Sequence, residues 1–451
     1  MDHIAHDQDR DRLRDLRTEL YGCLTRWGDT LFELCDAALC APGALHSVPS
    51  LSLEPTFRRS HGSLYKSLAR GQIDDERLRL ILVANRPKDC PDVFAVDASV
   101  WDRADAECSP ERGFYYSASK HSAGQPIVAG WSYQWISQLS FTPDSWTAPL
   151  DALRISPRTD ATGATIDQVR RLVEDLGPKK KVPPLFVFDA GYNGIAIGAG
   201  LADVRAQVLV RIKSDRVFYD DPGPRHRSTK GRPPRHGRRF KLSDARTAPR
   251  PDAQIQLEDR RYGTVRVRAW HHRHPKLIRR GRWAGAKTPI VRGSVIRVDV
   301  EHLPNPIGRT KKTLWLWWSG TGEPDLELCF RAYLRRFDIE HTYRFVKNTL
   351  GWTTPSLQTP EQADRWTWIV IAAYTQLRLA RPLVDDLRLP WERHLDPARL
   401  TPARVRRGFR RLRATLGTPA SPPKSDMPGP GRPKGTRTGP LKRYPVIKKS
   451  A

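Results

Sequence analysis

Residues 91–99 read PDVFAVDAS and residues 183–194 read PPLFVFDAGYNG. Each is a short apolar run that stops on an aspartate, Asp97 in the first and Asp189 in the second. Period-two alternation puts Val93, Ala95 and Asp97 on one face of an extended segment, and Leu185, Val187 and Asp189 on one face of the other. Open α/β sheets form their sites beyond the carboxyl ends of their strands. Two carboxylates there, on neighbouring strands, make a hard oxygen site for Mg²⁺ or Mn²⁺. One strand-end Asp commonly caps a turn, so the weight rests on the pattern occurring twice.

Outward from these runs the order is α/β. RGFYYSASK (112–120) and PIVAGWSYQWISQLSF (126–141) read as strands, Ile166 to Leu176 as a helix, and AQVLVRIKSD (206–215) as a further strand, giving three strands, a helix, a strand, a helical connection and a strand. Residues 216–310 break that order. They open on the basic RHRSTKGRPPRHGRR and continue into the short strand candidates GTVRVRAW and SVIRVDVEHL, which reads as a β-rich insertion. TLWLWWSG (313–320) resumes the core, and one long helix is expected from about Pro324 to Leu350. Further helices are expected at 361–380 and 402–416. At the other end, Leu13, Leu16, Leu20, Leu24, Trp27, Leu31 and Leu34 recur at helical spacing, and a second helix is expected over His61–Ala84. The division expected is a helical domain at 1–88, core at 89–215, insertion at 216–310, core at 311–355, C-terminal helices at 356–417, and a disordered basic tail at 418–451.

The chain has 451 residues with 77 Lys plus Arg against 49 Asp plus Glu, a formal charge of +28. Such an excess calls for a polyanionic partner. No apolar run approaches the roughly 18 residues of a membrane span, and the polar start MDHIAHDQDR is not a secretory signal. The cytoplasm, with nucleic acid as the partner, is the expected setting. The six cysteines form no C-x-x-C pair and read as reduced core thiols; His271, His272 and His274 lack a second ligand cluster and read as a solvated basic loop.

The helix FRAYLRRFDIEHTYRFVKNTLGW (330–352) carries Tyr333, Arg336, Glu340 and Lys347 at offsets 0, 3, 7 and 14. In a continuous helix these fall within an arc of about 60°. One face then offers a phenol, two cations and a carboxylate, the mixture a metal-assisted phosphoryl-transfer site uses. A plain i, i+4 ion pair explains Arg336 and Glu340, but not the Tyr and Lys beside them.

On these residues the sequence resembles the DDE transposases of bacterial insertion sequences, the branch marked by Y-x-x-R-x-x-x-E-x-x-x-x-x-x-K. Asp97, followed by Ser99, resembles the first Asp of that family, Asp189 the second, and Glu340 the Glu. Ala190 stands where the family usually has Arg. The resemblance spans roughly 91–380. It implies a ribonuclease-H-like α/β core with a β-rich insertion, and a triad of Asp97, Asp189 and Glu340 holding two Mg²⁺ or Mn²⁺ ions per active site. It further implies Tyr333, Arg336 and Lys347 near the DNA phosphates, and cleavage and strand transfer at element ends by a homodimer on double-stranded DNA. In that branch a Trp on the strand before the Glu helix stacks on a flipped base; Trp315 matches that place, with Trp317 on its face and Trp318 on the other.

Two basic segments complete the reading. TPARVRRGFRRLR places Thr401 at an N-cap, Pro402 at N1, and six arginines between Arg404 and Arg413. GPGRPKG (429–435) is similar to a minor-groove G-R-P core, with Arg432 for an A·T groove; an unspecific basic tail is the preferred reading, because no Arg precedes the core. A runner-up of another class is a DNA-binding protein that has kept the fold and lost cleavage, favoured by Ala190. A host nuclease or junction resolvase is a third; it does not call for the helical N-terminus.

Overall fold

The computed structural model describes residues 2–117, 125–177, 182–224, 231–279, 283–284, 287–304, 312–424, 433, 435 and 439–448. Arg432 and most of GPGRPKG lie outside them. The chain divides into two compact units. The first comprises Met1–Cys90, Ala98–Thr159 and Asp338–Ala451; the second comprises Pro91–Asp97 and Asp160–Phe337.

The second unit is built on parallel strands. The opening half of β1 (Val93–Asp102) pairs with β5 (Leu185–Phe188), Val93 to Leu185 through Val96 to Phe188, and β5 pairs in parallel with β6 (Gln207–Ile212). All eight paired residues of β1 and β5 are buried, and Phe94 stacks on Phe186 at 5.2 Å. Strands covered on both faces have no polar alternation to keep, hence the continuous apolar runs. Helices α5 (Ala161–Leu176, capped by Asp160) and α6 (Gly194–Gly200, capped by Asn193) connect them. Beyond β6 the sheet turns antiparallel through β12 (Thr313–Ser319), β11 (Gly293–Val300) and β10 (Gly263–Pro275). β10 also pairs with β9 (Ala253–Asp259) and with β7 (Val217–Tyr219), which carries β8 (Arg239–Lys241). The β-rich stretch at 216–310 therefore extends the sheet through β12 and is not a detached module.

The first unit joins the two chain ends. Helices α1 (Asp2–Gly22), α2 (Gly28–Cys40), α3 (His61–Arg70) and α4 (Asp75–Ala84) fold together with α9 (Pro360–Ala380) and α10 (Pro402–Leu416); α1, α2, α3 and α10 all pack on α9. Each expected N-terminal helix is interrupted. Trp27 at φ +60° breaks the first, and residues 71–74 break the second. The strands here are β2 (Gly113–Tyr116), β3 (Ile127–Leu139) and β4 (Thr147–Ile155), antiparallel in that order. β4 was not expected, because Pro149, Asp151 and Arg154 spoil its alternation. Trp101, Trp131, Tyr133, Trp135 and Trp352 form the aromatic core.

The arginines of α10 are largely consumed inside this unit. Arg406, buried, donates to the carbonyls of Ala38 and Gly43; Arg413 and the buried Arg17 both bind the buried Asp36; Arg404 binds Asp386 and Arg407 binds Glu392. The tail also departs from expectation where it is described. Arg58 and Arg59 hold the carbonyls of Ala420 and Ser421. Further on, Tyr444 N–H donates to Glu107, Ile447 N–H donates to the Arg112 carbonyl, and the Arg112 guanidinium donates to Tyr444. Backbone pairing orders this segment with no apolar core of its own.

Candidate nuclease site

The parallel register of β1 and β5 fixes the first feature. Val96 is opposite Phe188, so the next residues, Asp97 and Asp189, leave adjacent strand ends together; neighbouring strands run about 4.8 Å apart. After Asp189 the chain turns at once. Asp189 Oδ1 accepts the N–H of Ala190 at 2.6 Å, and the Asn193 side chain caps α6 by accepting Ala196 N–H. Gly194 is required at the start of α6, since a Cβ there would stand 2.6 Å from Val210 of β6. The turn swings Tyr192 back under the carboxylates, its ring 5.1 Å from that of Phe188.

The Tyr192 hydroxyl is buried and has no hydrogen-bond partner among the described residues. Burial first, then the charges of Asp97 and Asp189, raise its pKa well above that of a free tyrosine; Arg336 acts the other way. An orphaned buried donor beside two carboxylates marks a place where a polar group belongs. Two carboxylates and a phenol form an all-oxygen set, which fits a hard divalent cation and its water.

Arg336 reaches the same place from α7 (Leu326–Arg335), of which it is the C-cap. Its Nη1 is 3.4 Å from Asp97 Oδ2 and its guanidinium lies 5.8 Å from the centre of the Tyr333 ring. Arg211 of β6 lies near Tyr333, whose pKa burial raises against the opposing effects of Arg336 and Arg211. The second unit thus brings Asp97, Asp189, Tyr333 and Arg336 together, and adds Tyr192 and Arg211, which the sequence reading missed. Tyr192 had a signal, the DAGYNG turn; Arg211 had none, being one arginine on a strand. Beside them lies a cleft of about 620 Å³, lined by Tyr192, Arg211, Lys213, Arg216, Tyr219 and Lys276 among others.

The long helix expected over 324–350 is interrupted. α7 ends at Arg335, Arg336 and Phe337 form a turn, and α8 (Asp338–Asn348) begins afresh. The 60° stripe requires one continuous helix; the turn leaves Tyr333 and Arg336 at the end of α7 and Glu340 and Lys347 on α8. Glu340 and Lys347 belong to α8 in the first unit, on its partly exposed side. There α8 buries Ile339, Tyr343, Phe345 and Val346, with Tyr343 edge-on to Trp135 and Thr342 bonded to Thr147. Lys347 Nζ lies 3.4 Å from the Val100 carbonyl and 5.6 Å from the centre of the Trp352 ring. Among the described residues no group of three or more His, Cys, Asp or Glu side chains is arranged to hold a metal.

Trp315 of β12 stands opposite Ile212, one residue from Arg211. It is 6% exposed, packed with Phe240, Trp270 and Trp317, and Arg297 covers its ring at 5.4 Å. Trp315 and Trp317 do share one face, while Trp318 donates to Gln207 on the other. A flipped base would have to displace this packing to stack on Trp315.

Comparison with known proteins gives a family. The model for the DDE superfamily endonucleases matches residues 19–276, more than half of the chain. The match includes Asp97 and Asp189, starts inside α1, and ends before Trp315 and the 333–347 motif. No curated protein sequence matches. Among solved structures, a piggyBac transposase synaptic complex with hairpin DNA, seen by cryo-electron microscopy, aligns over 86% of this chain and 72% of that one, at 12% identity and a TM-score of 0.40.

Proposed function

This chain belongs to the DDE superfamily of endonucleases, and from that premise we propose that it is a transposase that cuts and joins DNA at the ends of an insertion sequence. The observation that carries the proposal is the pair Asp97 and Asp189 at adjacent parallel strand ends, with the unpartnered Tyr192 hydroxyl beneath and Arg336 alongside. A ribonuclease-H-like core is the reading that suits parallel β1, β5 and β6 with Asp97 and Asp189 at the ends of the first two. Members of this superfamily generally use divalent metal ions; Asp97 and Asp189 would hold Mg²⁺ or Mn²⁺, with Glu340 proposed as the third carboxylate of a two-ion site. Bound there, the ions would lower the pKa of an attacking water or 3′-OH and neutralise the leaving oxygen.

The chain's own residues supply the rest. Arg336 is placed to pass from Asp97 to a phosphate oxygen when DNA enters, a charge-assisted contact. Arg211 and Arg336 lie beside the Tyr333 phenol, and the three are proposed to face the DNA backbone together. Arg216, Lys213 and Lys276 line the cleft that the strand would follow past Asp189. Lys347 is proposed as a further phosphate contact. Duplex element ends and target are the substrates, two copies act together, one per end, and the setting is the bacterial cytoplasm and its nucleoid.

The test is nicking of a supercoiled plasmid and joining of a labelled duplex end, with Mg²⁺ or with EDTA. Metal-dependent nicking lost in Asp97→Asn, Asp189→Asn and Glu340→Gln, each still binding DNA, supports the proposal; wild-type nicking by any of the three contradicts that residue's role. A second reading, a DNA-binding descendant that no longer cuts, is favoured by Ala190, which offers only its backbone N–H where a cation would serve a phosphate. It predicts tight binding with no nicking under any metal.

A further inference from the structure

The loop joining α9 to α10 carries a feature unrelated to the aspartate pair. Its tip reads Arg388-Leu389-Pro390-Trp391-Glu392-Arg393. Trp391 is 79% exposed and Leu389 beside it is exposed as well. The tip is nonetheless held firmly. Glu392 N–H donates to the Leu389 carbonyl, closing a turn, and the Glu392 carboxylate accepts both the Leu389 N–H at 2.8 Å and the Arg407 guanidinium at 2.6 Å. At the base of the loop, Arg404 binds Asp386 at 2.9 Å and the Arg393 carbonyl at 2.7 Å, and Asp386 also accepts the Leu395 N–H at 2.9 Å. Two arginines of α10 thus clamp the loop through two of its acids and lift a tryptophan into water.

Burying an indole is favourable, so a clamp that maintains its exposure points to a partner. The chemistry around the tip selects that partner. Glu392 and Asp386 are turned inward onto Arg407 and Arg404, while Arg388 and Arg393 flank the tip exposed. An apolar Leu-Pro-Trp point between two cations matches a duplex whose base step is wedged open while phosphates on either side are held. The exposed Asp385 and Asp396 lie outside that point.

We infer that residues 388–393 form a wedge for double-stranded DNA: Trp391 and Leu389 enter a base step, and Arg388 and Arg393 hold the flanking phosphates, bending the duplex. The inference rests on the reading of the chain as a DNA enzyme and adds a contact surface of the first unit, separate from the aspartate pair. Bending by a wedge serves a reaction in which DNA must turn sharply.

The experiment uses the full chain and a 30-base-pair duplex with 2-aminopurine replacing adenine in one strand. Binding is followed by anisotropy across a salt series, unstacking by 2-aminopurine fluorescence, and plasmid nicking separately. Wild type brightens the probe. Trp391→Ala binds about tenfold more weakly, loses the brightening and keeps the salt slope, whereas Trp391→Phe retains most of both. The double variant Arg388→Gln, Arg393→Gln lowers the salt slope by about two units. Trp391→Ala with wild-type affinity and brightening overturns the wedge, as does a Trp391→Ala variant altered only in self-association by sedimentation. Failure of wild type to nick, with the wedge effects intact, sinks the catalytic reading alone.

Discussion

Helix α10 and the surroundings of Asp97 both gather arginine near carboxylate, and to different ends. In α10, Arg410 and Arg411 are exposed but the other guanidiniums are held within the unit. Arg406 donates to the backbone carbonyls of Ala38 and Gly43, and Arg413 shares the fully buried Asp36 with Arg17. Around Asp97 the Arg336 guanidinium stands 3.4 Å away, and the nearby buried Tyr192 hydroxyl finds no hydrogen-bond partner among the described residues. The first network is closed and holds helices together; the second keeps one polar atom, the Tyr192 hydroxyl, open to a ligand. The comparison also tempers the +28 net charge, since part of that excess holds the first unit together and is not offered to DNA.

The closed network should give the largest effect. Asp36→Ala takes the carboxylate partner from the buried Arg17 and from Arg413, and should cost about 3–5 kcal/mol, seen as a large fall in the denaturation midpoint. A change under about 1 kcal/mol would remove the contrast. Trp315→Ala sharpens a second distinction, packing against stacking: it should cost about 3 kcal/mol, measured in urea, with the folded remainder keeping its DNA affinity. Loss of DNA affinity at unchanged stability would restore the base-stacking role.

Arg336→Gln probes the open network. The salt slope of DNA binding should fall by about one unit while stability changes little; the reverse pattern would make Arg336 a structural partner of Asp97.

The smallest effect concerns pH. His236 and His274 hydrogen-bond to each other at 3.0 Å. Burial lowers both pKa values, helped at His236 by Arg235 and Lys276 and opposed at His274 by Asp221. A lowered histidine pKa means that the unfolded chain binds more protons near pH 6.5 and below. The pair's contribution is therefore intact above pH 6.5 and is lost as pH falls through the folded values. Thermal melts of wild type and His236→Gln should diverge less at pH 5.5 than at pH 8; parallel melts would show that the pair does not titrate differently on folding.

Legibility followed the physics. β1 and β5 were readable because doubly covered strands are apolar throughout, and Asp97 and Asp189 followed from where those runs stop. The shared face of Trp315 and Trp317 followed from strand alternation. β4 escaped because Pro149, Asp151 and Arg154 interrupt its pattern. The turn at Arg336–Phe337 escaped because neither residue is a helix breaker; the interruption is a tertiary choice that leaves Phe337 half exposed. The partners of the α10 arginines, as of Arg58 and Arg112, are carbonyls and acids remote in sequence, which no spacing reveals. The described tail was ordered by such pairings, invisible to a composition argument.

Asp97 and Asp189 are proposed as the metal-binding half of a nuclease. A ligand swap tests this directly, because a thiolate binds Mg²⁺ poorly and Mn²⁺ better. Plasmid nicking by Asp189→Cys should be nearly absent in Mg²⁺ and partly restored in Mn²⁺, with wild type active in both. Equal nicking by Asp189→Cys in the two metals, or wild-type nicking in EDTA, would contradict the account.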